Sequence, residues 1–137
     1  MNQILNCVLL IDDDEDDNFI HKMVIEKAGV ARQVLAVESG MEALAYLTTK
    51  QNGAYPQPDL IFLDINMPGM NGWEFLEAYR KLELFQQGRV IVVMLTTSPD
   101  PSDKNKAENL TEIRKFLNKP LTAEMLMNIL NEFFPDK

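Results

Sequence analysis

Basic residues are scarce in this chain: 13 Lys and Arg stand against 21 Asp and Glu in 137 residues, a net charge of −8. That balance argues against direct nucleic-acid binding, because phosphate contacts need a basic face. Cysteine is almost absent. The single Cys7 cannot form an internal disulfide and lies in an apolar run, which predicts a reduced, intracellular setting. No apolar run approaches the ~20 residues needed to cross a bilayer, so no membrane association is expected. The first residues, Met1 to Asn6, lack the basic start and small-residue cleavage site of a secretory signal, and a cytoplasmic protein is predicted. There are no repeats, no low-complexity tract and no linker, so residues 1–137 are expected to form one domain with no output domain attached. Histidine is equally rare: His21 falls on a polar helix face and is expected to be inert.

What is present is a set of apolar runs that each end in chemistry. Val8-Leu9-Leu10-Ile11 runs into Asp12-Asp13-Asp14. Leu60-Ile61-Phe62-Leu63 runs into Asp64, followed by Ile65-Asn66-Met67-Pro68-Gly69. Val90 to Leu95 runs into Thr96-Thr97-Ser98, and a shorter apolar stretch carries Phe116 to Lys119-Pro120. Helix-like segments alternate with these runs, five times in all, which predicts βαβ units around a parallel sheet. The first strand is placed at Cys7–Ile11 and the second at Gln33–Val37. A helix over Asp16–Ala28 has Phe19, Ile20, Met23, Val24 and Ala28 on one face and Gly29 to end it. Ser39 with Glu42 forms a capping-box pattern for a helix burying Ala43, Leu44 and Leu47. Lys50–Pro58 is a long loop. Trp73, Leu76, Tyr79 and Leu82 mark a third helix. Asp100-Pro101 starts a fourth, running to about Leu110 and anchored only by Ala107 and Leu110, which makes it the least firmly held element. Thr122 caps a last, amphipathic helix carrying Met125, Ile129, Leu130, Phe133 and Phe134.

If the first and third strands are neighbours, Asp12, Asp13 and Asp64 converge at one edge of the sheet, where open α/β folds bind ligands. Crowded carboxylates repel, and a hard divalent cation relieves that repulsion. Glu15, Asp16 and Asp17, with Asp14, read as acids favouring the positive end of the first helix. A lysine brought by an apolar strand to such a cluster would pair with the acids, and a hydroxyl at a strand end, as on Thr96, can donate to a phosphoryl oxygen. Together these groups suit the handling of a phosphoryl group on a carboxylate.

At Leu10-Ile11-Asp12-Asp13, Leu63-Asp64-Ile65-Asn66-Met67-Pro68-Gly69-Met70-Asn71-Gly72, Leu95-Thr96-Thr97 and Phe116-Leu117-Asn118-Lys119-Pro120 the chain resembles a response-regulator receiver domain of two-component signalling, over essentially its whole length. The resemblance implies a flavodoxin-like α/β fold: a doubly wound, five-stranded parallel sheet of order 2-1-3-4-5 with five helices. It implies Asp64 as phospho-acceptor, Asp12, Asp13, Asp64 and the backbone carbonyl of Asn66 as ligands of Mg²⁺ (or Mn²⁺), Thr96 as switch hydroxyl, Lys119 as the phosphoryl contact and Phe116 as aromatic switch. The phosphoryl donor it implies is a sensor histidine kinase or a histidine phosphotransfer protein. The surface of the fourth helix, fifth strand and fifth helix would then change its preference for a downstream protein target, with a homodimer through that surface as one outcome. Such a protein is a signalling phospho-acceptor rather than a classical enzyme. Asn66 and Ser98 occupy the two positions that tune phosphoryl lifetime in the family, and neither is acidic or basic. The Lys50–Pro58 loop is similar to that of single-domain regulators associated with phytochrome kinases.

Two rival readings differ in class. A haloacid-dehalogenase-type phosphatase would use Asp12 as nucleophile and Asp14 as acid–base, but it leaves Asp64 without a role, and the residues after Lys119 lack the acidic pair that completes its metal site. A degenerate receiver would bind partners without phosphorylation, but it need not hold the full set of acids, threonine and lysine.

Overall fold

In the computed structural model, which describes residues 5–83, 86, 91–97, 100–110 and 113–135, β1 (Leu5–Ile11), β2 (Ala31–Val37), β3 (Leu60–Asp64), β4 (Ile91–Thr96) and β5 (Ile113–Asn118) form one parallel sheet in the order β2-β1-β3-β4-β5. This is the doubly wound order expected from the sequence. Five helices connect and cover it: α1 (Glu15–Ala28), α2 (Gly40–Leu47), α3 (Gly72–Arg80), α4 (Pro101–Glu108) and α5 (Ala123–Phe133).

The central strands read as unbroken apolar runs because both faces of a parallel sheet are covered. Successive side chains alternate between the faces. Leu9, Ile11, Ile61, Leu63, Val92 and Met94 join Ala43, Leu47, Phe75, Leu76 and Tyr79 of α2 and α3, with Ala107 of α4, in one core layer. Val8, Leu10, Leu60, Phe62, Val93 and Leu95 join Ile25 of α1 and Leu126, Ile129 and Leu130 of α5 in the other. Strand order reverses between β1 and β3, so the carboxyl ends of those two strands border the crevice where open sheets of this type bind ligands.

The helix ends follow local chemistry. Asp14 caps α1 by accepting from Asp16 and Asp17 backbone N–H groups, and Gly29 closes it in the left-handed conformation. Thr122 caps α5, and Asp100 with Pro101 opens α4. At α2 the Ser39 side chain accepts from Glu42 N, but the Glu42 carboxylate accepts from Glu38 N, one residue before the position a capping box requires. The reciprocal box occurs instead at α3, between Asn71 and Glu74. The Lys50–Pro58 segment folds back on itself through an antiparallel bridge between Gln51 and Ala54.

One expectation largely fails on α1. Of the residues placed on its apolar face only Val24 packs, partly buried, against the core; Phe19 is 67% exposed, Ile20 44% and Met23 50%, while Asn18, His21 and Ile25 are buried. In the first half of α1 the inward face is set by hydrogen bonding rather than by hydrophobicity, and Ile25 continues it into the core. The Asn18 carboxamide donates to the carbonyls of Asp12 and Val37, at 2.8 and 3.1 Å. It thereby satisfies two strand-end acceptors that would otherwise be costly to bury. His21, one turn on, is carried inside with it, so it does not lie on a polar, solvent-facing surface.

Candidate functional site

Asp12 is the first residue after β1 and is buried, with its backbone N–H bonded to Val37 of β2. Its carboxylate accepts from Asp14 N at 2.9 Å, which fixes the turn into α1 and leaves Asp13 exposed beside it. Asp64 ends β3 directly alongside, because Ile11 of β1 pairs with Leu63. Carboxylate oxygens of Asp12, Asp13 and Asp64 all lie within 4.8 Å of one another.

The loop after Asp64 is held by a close approach. Gly72 N donates to Ile65 O at 2.8 Å, and a Cβ on Gly72 would lie 2.6 Å from the Asp64 carbonyl oxygen and 2.9 Å from Ile65 Cα. Only glycine fits where α3 begins against the end of β3. Gly69, at φ +76, makes the preceding turn. This loop brings Asn66 to the rim of a depression of about 240 Å³ lined by Asp12, Asp13, Asp14, Asp17, Asp64, Asn66, Thr97 and Lys119.

Lys119 closes the site from β5. Its backbone N–H donates to Thr96 O at 2.8 Å, which ties the ends of β4 and β5 together. The Nζ atom lies 2.6 Å from Asp12 Oδ2, 2.9 Å from Asp17 Oδ2 and 3.4 Å from Asp64 Oδ1, and the side chain is only 9% exposed. Burial alone would lower the ammonium pKa, but hydrogen bonds to Asp12 and Asp17 and the nearby charges raise it above its ordinary value. The acids respond differently. Burial, reinforced by the Asp12 charge, pushes Asp64 up to about 6 against the pull of Lys119. Burial also raises Asp12, although the Lys119 hydrogen bond opposes it. For both carboxyls desolvation outweighs the ion pair, as expected where three acids share one ammonium.

The structure therefore brings Asp12, Asp13, Asp64, Asn66 and Lys119 around one depression. Thr96 ends β4 one residue beyond Leu95, the register partner of Asp64, and is buried, whereas its neighbour Thr97 lines the depression. Phe116 pairs with Met94 within the sheet and borders a second hollow, about 330 Å³, between α4 and β5. Ser98 lies outside the described residues.

Three participants escaped the sequence reading. Asp17 reads as a helix-dipole acid but reaches Lys119. Asn18 pins the end of β1, and buried His21 is held below its ordinary pKa by desolvation. The i, i+3 spacing of Asn18 and His21, extended by Ile25, was the only available sign of that inward face.

The donor set suits a hard cation: three carboxylates, all oxygen, match Mg²⁺ or Mn²⁺ rather than a softer metal. Asp14 serves as helix cap, its Oδ1 accepting from two backbone N–H groups.

The family model of the response regulator receiver domain matches residues 8–131. The protein PilH of Pseudomonas aeruginosa is 28% identical over 124 residues, spanning 90% of this chain and 93% of that protein. Among solved structures, a two-component response regulator from Cytophaga hutchinsonii is 34% identical, with 98% of this chain and 100% of that one covered and a TM-score of 0.87. The chemotaxis protein CheY4 of Vibrio cholerae is 29% identical over 93% of this chain and 98% of its own, with a TM-score of 0.74. No helix among the described residues is long and apolar enough to cross a membrane.

Proposed function

We propose, from the premise that this chain belongs to the response regulator receiver domain family of two-component signalling, that it accepts a phosphoryl group on Asp64 from the phosphohistidine of a sensor kinase or a histidine phosphotransfer protein. The observation that carries this reading is the convergence of Asp12, Asp13 and Asp64 within 4.8 Å, with Lys119 against two of them.

In the proposed step a carboxylate oxygen of Asp64 attacks phosphorus in line with the leaving imidazole. The O–P bond forms as the N–P bond breaks, and the ring nitrogen keeps the electron pair. Asp12, Asp13, Asp64 and the Asn66 carbonyl would hold Mg²⁺ or Mn²⁺, which supplies positive charge against the transferring oxygens. Lys119 donates to one of those oxygens, so that transfer depends on positioning and electrostatics rather than on an added nucleophile. The aspartyl phosphate carries roughly one to two negative charges more than its surroundings held before. Thr96 would turn its hydroxyl toward it, and the space vacated would let Phe116 swing inward beside the α4–β5 hollow. The α4, β5 and α5 surface then shifts between two packings that favour different protein partners, a second copy of the chain among them.

Phosphodonor labelling in Mg²⁺ tests the acceptor. Wild-type protein takes up label and Asp64→Asn loses it by at least about a hundredfold, the scale expected when a nucleophile is removed. Label retained at wild-type level would overturn the assignment. Absence of label in the wild type would favour the phosphorylation-independent receiver, and turnover of a generic phosphate ester the phosphatase.

A further inference from the structure

Lys119 is shared among three acids, and it is held more closely by α1 than by the acceptor. Its ammonium hydrogen-bonds to Asp17 at 2.9 Å and lies 2.6 Å from Asp12, whereas Asp64 is 3.4 Å away. A strong N⁺–H···O⁻ bond spans about 2.7–2.9 Å, so the contact with Asp64 is the slack one. Asp17 lies outside the group of three acids placed to share a metal ion, yet it lines the same depression. Its carboxylate is about a third exposed and is fixed by helix geometry, since it sits in the first turn of α1, where its backbone N–H is bonded to Asp14.

We propose that Asp17 is a positioning residue that restrains Lys119 and so weakens the hold of the site on an acceptor-bound phosphoryl group. The inference rests on the acceptor reading above. A phosphoryl oxygen on Asp64 would compete with Asp17 for the Lys119 ammonium, which would then lose part of its bond to Asp17. That loss is charged against the phosphorylated state alone, because the unphosphorylated site keeps the bond intact. Asp17 thus sets how favourable the phosphorylated state is without touching the phosphoryl group, and a chain with a neutral side chain there should hold its phosphoryl group more tightly.

The test uses beryllofluoride with saturating Mg²⁺, a tetrahedral mimic of an aspartyl phosphate, titrated by calorimetry into wild-type, Asp17→Asn, Asp17→Glu and Lys119→Met proteins and into the double variant Asp17→Asn with Lys119→Met. Asp17→Asn should bind about two- to fivefold more tightly than wild type, the range of a part-exposed ion pair, and Asp17→Glu should return toward the wild-type affinity. In the Lys119→Met background the same Asn substitution should change affinity less than twofold, because its effect passes through the lysine. As a second readout, the Lys119 ¹⁵Nζ resonance of unliganded Asp17→Asn should move toward its position in the wild-type beryllofluoride complex.

Equal affinities for wild type and Asp17→Asn, with no movement of that resonance, would overturn the inference while leaving the acceptor reading intact. So would a tightening that persists undiminished without Lys119, since that would be a field effect of one removed charge. Failure of the wild type to bind beryllofluoride at all would remove the acceptor reading and this inference together.

Discussion

At the scale of single residues, the property with the widest consequence is the raised pKa of Asp64. An ordinary aspartate titrates near 3.8, and burial together with the Asp12 charge lifts this one to about 6. As pH rises, the unfolded chain releases that proton near its ordinary value, while the native protein retains it until about pH 6. Between those limits the native state binds more protons, so this group makes stability fall as pH rises from about 4 to 6 and contributes a constant penalty above. At pH 7 the penalty is on the order of 2–3 kcal/mol, from about two units at 1.36 kcal/mol each. Asp64→Asn should therefore raise the urea midpoint at pH 7 in buffer containing EDTA, even though it removes the proposed acceptor, and its advantage should shrink toward pH 4. A variant less stable than wild type at pH 7 would mean that Lys119, rather than desolvation, governs this carboxyl. The same arithmetic explains why a group so unfavourable for folding sits where it does: a carboxylate that water no longer stabilises gains the most from a cation or an ammonium brought to it.

At the scale of elements, α4 stands apart. Ala107 is its only buried residue, and the rest of its sequence, Pro101-Ser102-Asp103-Lys104-Asn105-Lys106, is polar or capping. Much of what holds it to α3 comes from one side chain. Trp73 Nε1 donates to Asp103 Oδ1 at 3.1 Å, and Lys106 Nζ lies 4.9 Å from the centre of the indole ring. A part-buried hydrogen bond and a cation–π contact are together worth about 1–2 kcal/mol. In native-state hydrogen exchange, the amides of α4 should be the least protected among the five helices, and Trp73→Ala should speed their exchange by roughly tenfold or more while leaving α5 unchanged. Equal acceleration in α4 and α5 would show that the tryptophan supports the whole fold instead. The thin anchoring of α4 was legible beforehand because a helix without apolar spacing announces itself. The strands were legible for the opposite reason: a parallel strand buried on both faces leaves an uninterrupted apolar run, and the acids that follow it fall at the crevice by topology alone. The inward face of α1 was not legible, because Asn18 is drawn in by the carbonyls of Asp12 and Val37, which no helical periodicity records. Nor was Asp17's link to Lys119, a contact between positions 102 residues apart, made where the first turn of α1 and the residue after β5 meet at the carboxyl edge of the sheet.

At the scale of the molecule, three acids gathered at one edge of a chain that already carries a net charge of −8 oppose folding until something positive joins them. Lys119 answers part of that repulsion, but its ammonium is divided among Asp12, Asp17 and Asp64, and Asp13 remains exposed with no ion pair among the described residues. A divalent cation that binds the gathered carboxylates of the native state, and has no comparable site on the unfolded chain, stabilises the fold by mass action. At a hundred times its dissociation constant the gain is about 2.7 kcal/mol, or roughly 5–10 °C in melting temperature for a domain of this size. Replacing EDTA by millimolar Mg²⁺ should therefore raise the melting temperature of the wild type, and Asp13→Asn should lose most of that increment. Because Asp13 is exposed, its substitution should cost the protein little stability in EDTA, so a lost Mg²⁺ response in that variant reports binding rather than damage to the core. Screening gives the control. Sodium chloride at matched ionic strength weakens repulsion between exposed charges without occupying a site. If sodium chloride raised the melting temperature as far as Mg²⁺ did, and Asp13→Asn responded to Mg²⁺ like the wild type, the three carboxylates would be a repulsive surface cluster and not a cation site.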